Sequence, residues 1–303
     1  MKIAIIQSLK RDYGIISDTV ELLPISNAGD NVLFQYGPKV IIKVYRDYDL
    51  ETINQSCDLF EKFNKPDLII KNNSNQKITR IGNFFLVVMH KIEGRLCSTF
   101  DQVNTSTITK LVKKISKLDI IANDNYILDS HCMNRLVTIT ESNSLTLKKY
   151  KEDILYFKKE LERINFSFLK KHGLTLSHHD INPDNIIIDN KKVYLLDWDK
   201  ACNAYYIDEV CRAAFLVFIR SDTVEFSILN SFFKLVSKTI NYHQYLEACF
   251  MVGVDIYSEI VLCCSKVPTE KVFLSSLPRH IHPSQLFLNT RSILEHIKEF
   301  DNR

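Results

Sequence analysis

No apolar stretch of this 303-residue chain reaches the ~18 residues that a membrane-spanning helix needs, so no span is expected. The opening MKIAIIQSLKRDYG has only a brief apolar run before Lys10, Arg11 and Asp12, too short for a signal-peptide core. There is no C-x-x-C pair. The eight cysteines are scattered, and Cys263-Cys264 are adjacent rather than spaced as a ligand pair. They read as free, buried thiols of a reducing, cytoplasmic compartment. Charge of one sign is also lacking. A formal net charge of +3 argues against a strongly electrostatic nucleic-acid binder. No internal repeat and no low-complexity linker breaks the chain. What remains is 46% hydrophobic and 25% charged, an ordinary composition that can bury a core. The length predicts one large or two smaller units.

The most informative stretch is LSHHDINPDNIIIDNKKVYLLDWDKA, residues 176–201. Two β-branched runs, Ile186–Ile188 and Val193–Leu196, flank the turn Asp189-Asn190-Lys191 and predict a β-hairpin. His179 and Asp180 stand before it, with Asn185 five residues after that Asp. Asp197-Trp198-Asp199 follow it. Antiparallel strands bring the two ends of a hairpin together, so Asp180, Asn185 and Asp197 are expected to converge. Carboxylate and amide oxygens at one point suit a hard divalent cation such as Mg²⁺ shared with substrate phosphates.

The pattern His179-Asp180-x4-Asn185, then Leu196-Asp197-Trp198-Asp199, resembles the aminoglycoside phosphotransferase and choline kinase superfamily. These are the small-molecule kinases of the protein-kinase-like fold. Protein kinases usually show His-Arg-Asp and Asp-Phe-Gly, whereas this chain has His-His-Asp and Asp-Trp-Asp. The resemblance implies an α+β, two-lobed fold. A small antiparallel-sheet lobe over residues 1–92 would bind the nucleotide, and a larger, mainly helical lobe over 93–303 would carry catalysis and the acceptor. It implies ATP and Mg²⁺. Asp180 would take or orient the acceptor proton, with His179 fixing the loop. Asn185 and Asp197 would hold the metal, and Asp199, two residues on, would support a second ion or the acceptor.

Earlier in the chain, residues 1–20 begin with a short strand or helix. Asn27-Ala28-Gly29-Asp30-Asn31 and Tyr36-Gly37-Pro38-Lys39 are turns between strand-like runs. By resemblance, the first turn, with Asn27 and Gly29, would lie over the phosphates. Lys43 sits in Ile41-Ile42-Lys43-Val44, and a lysine in a buried strand is costly unless it meets an anion. It matches the family's third-strand lysine on the α- and β-phosphates, and Lys39 is the alternative. Residues 48–63 are helix-like, with Leu50, Ile53, Cys57, Phe60 and Phe63 on one face. Glu51, Asp58 and Glu61 are the candidates to pair with Lys43. LIIK (68–71), a polar turn from Asn72 to Gln76 and the apolar Phe84–Met89 predict two further strands. The backbone around Met89 and Lys91 corresponds to the family's adenine-binding hinge.

Beyond residue 93 the periodicity is helical over 105–121, 146–171, 207–219, 223–240, 243–264 and 284–299. By resemblance, Asp208 is placed to brace the catalytic loop, although next to Glu209 it also suits a helix N-terminus. His280 and His282 lie in a Pro-flanked loop with no assigned zinc role. Residues 206–303 hold 11 acidic and 10 basic side chains, no excess that would mark a polycation cleft. Tyr205, Tyr206, Tyr242, Tyr245, Phe250 and Tyr257 are available for an aromatic cage around a quaternary amine, but helical spacing makes them core. The expected function is an ATP-dependent phosphotransferase acting on the hydroxyl of a small molecule: aminoglycoside, amino alcohol such as choline, or sugar. The alternative is a nucleotide-binding, pseudokinase-like module without turnover. A protein or cell-envelope glycan kinase ranks lower, since no Ala-Pro-Glu-like anchor follows Asp199. Expected partners are nucleotide and acceptor. Nucleic acid is not expected, and the oligomeric state is left open.

Overall fold

A computed structural model of the chain describes residues 2–15, 20–22, 31–46, 48–97, 105–190, 192–219, 225–266 and 283–301. They form two compact units. The first comprises Met1–Leu96 and Asn185–Asp199, the second Cys97–Asp184 and Lys200–Arg303.

The first unit opens with helix α1 (Lys2–Tyr13) and continues through strands β1 (Val20–Leu22), β2 (Asn31–Tyr36) and β3 (Val40–Tyr45). Helix α2 (Leu50–Phe63) then precedes the hairpin of β4 (Ile78–Ile81) and β5 (Phe84–His90). The strands make one antiparallel sheet in the order β1-β2-β3-β5-β4. Alternation decides its faces. Val32, Phe34 and Tyr36, Ile42 and Val44, and Leu86 and Val88 share one buried cluster, which α1 covers with Ile5 and Leu9. Residues 2–13 are therefore helical, because an apolar pair four apart meets that face. Lys43, between Ile42 and Val44, faces the opposite way.

Asp49 caps α2 by accepting from the Thr52 N–H at 2.8 Å. Ile53, Cys57, Phe60 and Phe63 are buried as the spacing predicts, while Leu50 is exposed. The expected strand at 68–71 is reduced to a single bridge, Ile69 to Met89. β4 already occupies the edge of β5 from Phe84 to Val87. Only the last residues of β5 are left, and there Ile70 N–H donates to Val88 O and His90 N–H to Leu68 O, both at 2.8 Å.

A second sheet in this unit has the order β6-β8-β9, with β6 at Arg95–Leu96, β8 at Ile186–Asp189 and β9 at Lys192–Leu195. The predicted hairpin is there, in register Ile186 with Leu195 and Asp189 with Lys192. Gly94 permits β6 to approach. Its φ is 133°, and a Cβ there would stand 2.7 Å from Ile188 O.

The second unit runs α3 (Thr105–Ile115), α4 (Leu128–Glu141), α5 (Leu145–Lys148) and α6 (Lys151–Leu161), then β7 (Leu174–Ser177). It resumes with β10 (Cys202–Tyr205), α7 (Tyr206–Phe218), α8 (Phe226–Phe233), α9 (Tyr242–Lys266) and α10 (Pro283–Asp301). α9 is the axis, packed by α4, α7 and α10, and α7 is buried from Ile207 to Phe218. β7 pairs antiparallel with β10. The region 146–171, expected as one helical stretch, is α5, α6 and a 3-10 turn at Phe166–Lys171. Asn165 breaks it, since its side chain accepts from the Ser167 N–H at 3.0 Å and competes with helical bonding. α3 ends at Ile115 and α8 at Phe233, each followed by turns where longer helices were expected. α4 was not anticipated, although Leu128, Cys132, Leu136 and Ile139 are buried at helical spacing. Among the described residues, no helix is long and apolar enough to cross a membrane. Cys57, Cys97, Cys132, Cys202, Cys211 and Cys249 are buried free thiols, and Cys263 is an exposed one.

Candidate active site

In the first unit, β3 carries Lys43 into a cluster of oxygens. The side chain is about one-tenth exposed. Its ammonium donates to Asp197 Oδ1 at 2.7 Å and to Asp199 Oδ2 at 2.6 Å. Burial opposes the charge, but Asp197, Tyr45 and Asp199 outweigh it and hold the Lys43 pKa well above its ordinary value. Asp199 is a hub. Asn31 Nδ2 reaches its Oδ2 at 2.7 Å, and Ser56 Oγ and the Tyr45 hydroxyl reach its Oδ1 at 2.8 and 3.1 Å. The side chain of Asp199 is 5% exposed and that of Asp197 43%. Burial pushes the Asp199 carboxyl up, against the pull of Lys43.

The hairpin presents this acidic end. Leu196 N–H donates to Asn185 O at 2.7 Å, which closes the hairpin and brings Asn185 beside the Leu196-Asp197 step. Asp197 has a φ of 56°, a left-handed conformation uncommon for a residue with a side chain. Asn64 at the end of α2 clamps β9. Its Oδ1 accepts from Leu195 N–H and its Nδ2 donates to Leu195 O, each at 2.8 Å. Trp198 packs on Phe63, with ring centroids 5.1 Å apart, and donates from Nε1 to Leu195 O.

In the second unit, β7 leads into the loop Ser177-His178-His179-Asp180. Buried Glu209, on α7, holds that loop. It accepts from the Ser177 hydroxyl, and from the His178 and His179 N–H groups at 3.2 Å each. Burial raises the Glu209 carboxyl, and the Ser177 bond opposes the shift. Asn182 shapes the turn after Asp180. Its Nδ2 donates to Asp180 Oδ1 and its Oδ1 accepts from Asp184 N–H, both at 2.9 Å. His179 is buried with a φ of 62°. Burial, then Arg212, drives its pKa well below the usual imidazole value, so it is neutral at pH 7. Lys200, whose ammonium is 3.2 Å from Glu259, has a raised pKa, with Asp180 the largest cause.

The donors suit a hard cation. Among the described residues no three His, Cys, Asp or Glu side chains gather at one point, so no protein-only cage is present there. Asn185 and the exposed carboxylate of Asp197 lie in one unit and carry oxygen atoms of the kind a hard cation takes when phosphate oxygens complete its shell. The structure pairs Lys43 with Asp197 and Asp199 rather than with an acid of α2. Asp58 and Glu61 instead both bind Lys77, at 2.5 and 2.8 Å. Lys91 N–H donates to Lys39 O at 2.7 Å, and Met89 pairs with Ile41 in the sheet. The bonds expected of Asp208 belong to Glu209. Asn27 and Gly29, like His280 and His282, lie outside the described residues. Asn64, Ser56, Glu209 and Asn182 were missed, and none belongs to a periodic pattern that would single it out.

No protein-family model matches the sequence. No curated protein matches it significantly. Solved structures do match. A spectinomycin phosphotransferase, solved with ADP and spectinomycin, is 14% identical with a TM-score of 0.63, over 95% of this chain and 97% of that one. A microcompartment-associated aminopropanol kinase is 13% identical with a TM-score of 0.64, over 98% of each chain. An ethanolamine kinase of Plasmodium vivax is 13% identical with a TM-score of 0.60, over 94% of this chain and 88% of that one. The chain therefore has the kinase-like α+β fold of the aminoglycoside phosphotransferases and choline kinases, as its motifs predict.

Proposed function

We propose that this chain is a cytoplasmic, ATP-dependent phosphotransferase that moves the γ-phosphate to a hydroxyl of a small molecule: an aminoglycoside, an amino alcohol or a sugar. The observation that carries the reading is Lys43 bonded to Asp197 and Asp199, at the end of the hairpin that starts at Asn185, in a chain with the fold of small-molecule kinases.

Phosphoryl transfer asks a protein mainly for positioning and charge compensation. Asp180 orients the acceptor hydroxyl and takes its proton as the oxygen attacks the γ-phosphorus and ADP departs. Glu209, bonded to the backbone of His178 and His179, keeps that loop in place. Lys43 steadies the α- and β-phosphates, and Asp199, with its four donors, fixes Lys43. Asn185 and Asp197 would hold Mg²⁺, which would supply positive charge against the phosphates. The backbone of the Met89–Ile92 stretch meets the adenine edge. Lys91 N–H is engaged with Lys39 O and His90 N–H with Leu68 O, so neither of these two is the donor to it in this structure.

The test is ADP release from Mg-ATP against separate pools of aminoglycosides, amino alcohols and sugars, with Asp180→Asn alongside. Release stimulated by one pool, and reduced about 10²–10⁴-fold in the variant, supports the reading. An ATP-dependent rise in melting temperature without release from any pool points to a binding-only module. Neither release nor stabilisation sinks the proposal.

A further inference from the structure

His179 precedes Asp180, and its imidazole is not held at Nε2 by any hydrogen bond among the described residues. The nearest acid, Asp208 Oδ2, stands 3.8 Å away, beyond hydrogen-bond reach. What meets the ring is Tyr126, with centroids 4.2 Å apart and planes tilted by 54°. The other neighbours of Tyr126 fix it in turn. His131 stacks on it at 4.3 Å and 10°. Its hydroxyl donates to Asp255 Oδ2 at 2.6 Å, and Arg212 and Arg135 lie 5.6 and 5.9 Å from its centroid. Asp255 also receives Arg212 and Arg135, so the phenol ends in a buried, paired network.

The segment that carries Tyr126 is pinned as firmly. Tyr126 N–H donates to Asn203 O and Asn203 N–H to Asp124 O, both at 2.8 Å. The Asn203 side chain accepts from Ala122 N–H and donates to Ala122 O and Asn125 Oδ1, at 2.8, 2.8 and 2.9 Å. Asn203 lies on β10, which pairs with β7, the strand that feeds the loop. Residues 122–126 and the loop are thus tied to the same two strands.

We infer that Tyr126 is a positioning residue of the catalytic loop, its ring the surface against which the His179 imidazole is set and through it Asp180. The inference rests on the reading of Asp180 as the proton acceptor. A neutral imidazole lies against an aromatic face without desolvating a charge, and such ring pairs contribute beyond the area they bury. The groups that face His179 are Arg212 and Asp208 on α7, Asp255 and Glu259 on α9, and Lys200. With the Tyr126 ring gone, water reaches the imidazole and its protonation becomes easier.

Two readouts test this in the full-length protein. One is the NMR titration of His179, assigned with His179→Gln. The other is ADP release from Mg-ATP with water as acceptor. Tyr126→Met keeps bulk without a ring, and Tyr126→Phe keeps the ring without the hydroxyl. In Tyr126→Met the His179 pKa is expected to rise by about one unit or more. Turnover is expected to fall about tenfold or more while KM for Mg-ATP stays within about twofold. Tyr126→Phe stays near wild type in both. Should Tyr126→Met not fold, Asn203→Ala loosens the segment with the ring present and is expected to move both readouts the same way. An unchanged His179 titration in Tyr126→Met, or equal losses in Tyr126→Phe, overturns the inference. A wild type that does not turn over Mg-ATP removes the catalytic reading, while the titration still decides whether the ring sets His179.

Discussion

Lys43 Nζ lies 2.7 Å from Asp197 Oδ1, across 154 positions of sequence. The contact joins the third strand of the first sheet to the residue that ends the β8–β9 hairpin, within one unit. Its second arm, to Asp199, is of a different kind. Asp199 is buried and accepts from four side chains, so it anchors the ammonium. Asp197 is 43% exposed and presents its carboxylate toward solvent. The two acids of Asp-Trp-Asp thus differ in kind: Asp199 anchors the lysine from a buried position, and Asp197 bonds it while keeping its carboxylate partly exposed to solvent.

Lys43→Met separates these roles. It leaves Asp199 buried without its cation, although Asn31, Tyr45 and Ser56 still donate to it. Removing one partner of a buried ion pair costs about 3–5 kcal/mol, and the low end applies here because those donors remain. Urea unfolding is expected to show that loss, and Mg-ATP is expected no longer to raise the melting temperature. A variant as stable as wild type and still stabilised by Mg-ATP would remove Lys43 from the nucleotide site.

Asp208 makes a pH prediction with a fixed sign. Burial raises its carboxyl from the ordinary 3.8 to about 6, with Arg212 and His131 opposing. Between those values the folded protein binds the proton that the unfolded chain has released. Stability therefore falls as pH rises through this window and the contribution is level above it. The shift corresponds to a cost on the order of 3 kcal/mol at neutral pH. Asp208→Asn removes the titration, so its stability relative to wild type is expected to improve by that order between pH 4 and 7. Urea unfolding of both proteins across the range measures it. A difference that does not vary with pH would show that Asp208 titrates normally.

The hairpin and α2 were legible because their signals are local: two apolar runs about an Asp-Asn turn, and apolar residues three or four apart. The acid partner of Lys43 was not, since the ion pair joins β3 to residues that follow β9, far away in sequence, and no spacing rule reaches that far. Asp208 and Glu209 are adjacent acids at the start of one helix. A step of about 100° decides which of them meets the loop, and only the orientation of α7 settles it. β7 and β10 are four residues each, too short for alternation to stand out. Asn64 and Asn203 act through hydrogen bonds of their side-chain amides, most of them to backbone, which leave no periodic trace.

The Asn64 clamp is worth testing for that reason. Leu195 is fully buried, and Asn64 bonds both its N–H and its C=O. Trp198 Nε1 also serves the carbonyl, so in Asn64→Ala the N–H is the group left without its partner. An orphaned buried donor costs about 1–3 kcal/mol. Asn64→Asp keeps an acceptor for that N–H but turns a carboxylate oxygen toward Leu195 O, so it is expected to be no better. Unfolding free energy and hydrogen exchange at Leu195 check this. An amide that exchanges as slowly in Asn64→Ala as in wild type would mean that β9 is held by other bonds.

Gly253→Ala sets two effects against each other in the middle of α9. Replacing glycine with alanine inside a helix gains about 1 kcal/mol from propensity. Here a Cβ would stand 2.7 and 2.9 Å from the Phe215 ring and 3.0 Å from Thr290 Cγ2. Phe215 and Thr290 are both fully buried, so neither can swing into solvent. Overpacking of this kind costs about 1–3 kcal/mol, which exceeds the propensity gain except at its lower limit. The expected result is a net loss of up to about 2 kcal/mol by urea unfolding. Phe215→Leu opens room for the methyl, so Gly253→Ala is expected to cost less in that background, and a double-mutant cycle reads the difference. If Gly253→Ala stabilised the protein alone, α9 and α7 would have to part at little cost, and the close packing of α7 along α9 would not be what fixes the core of the second unit.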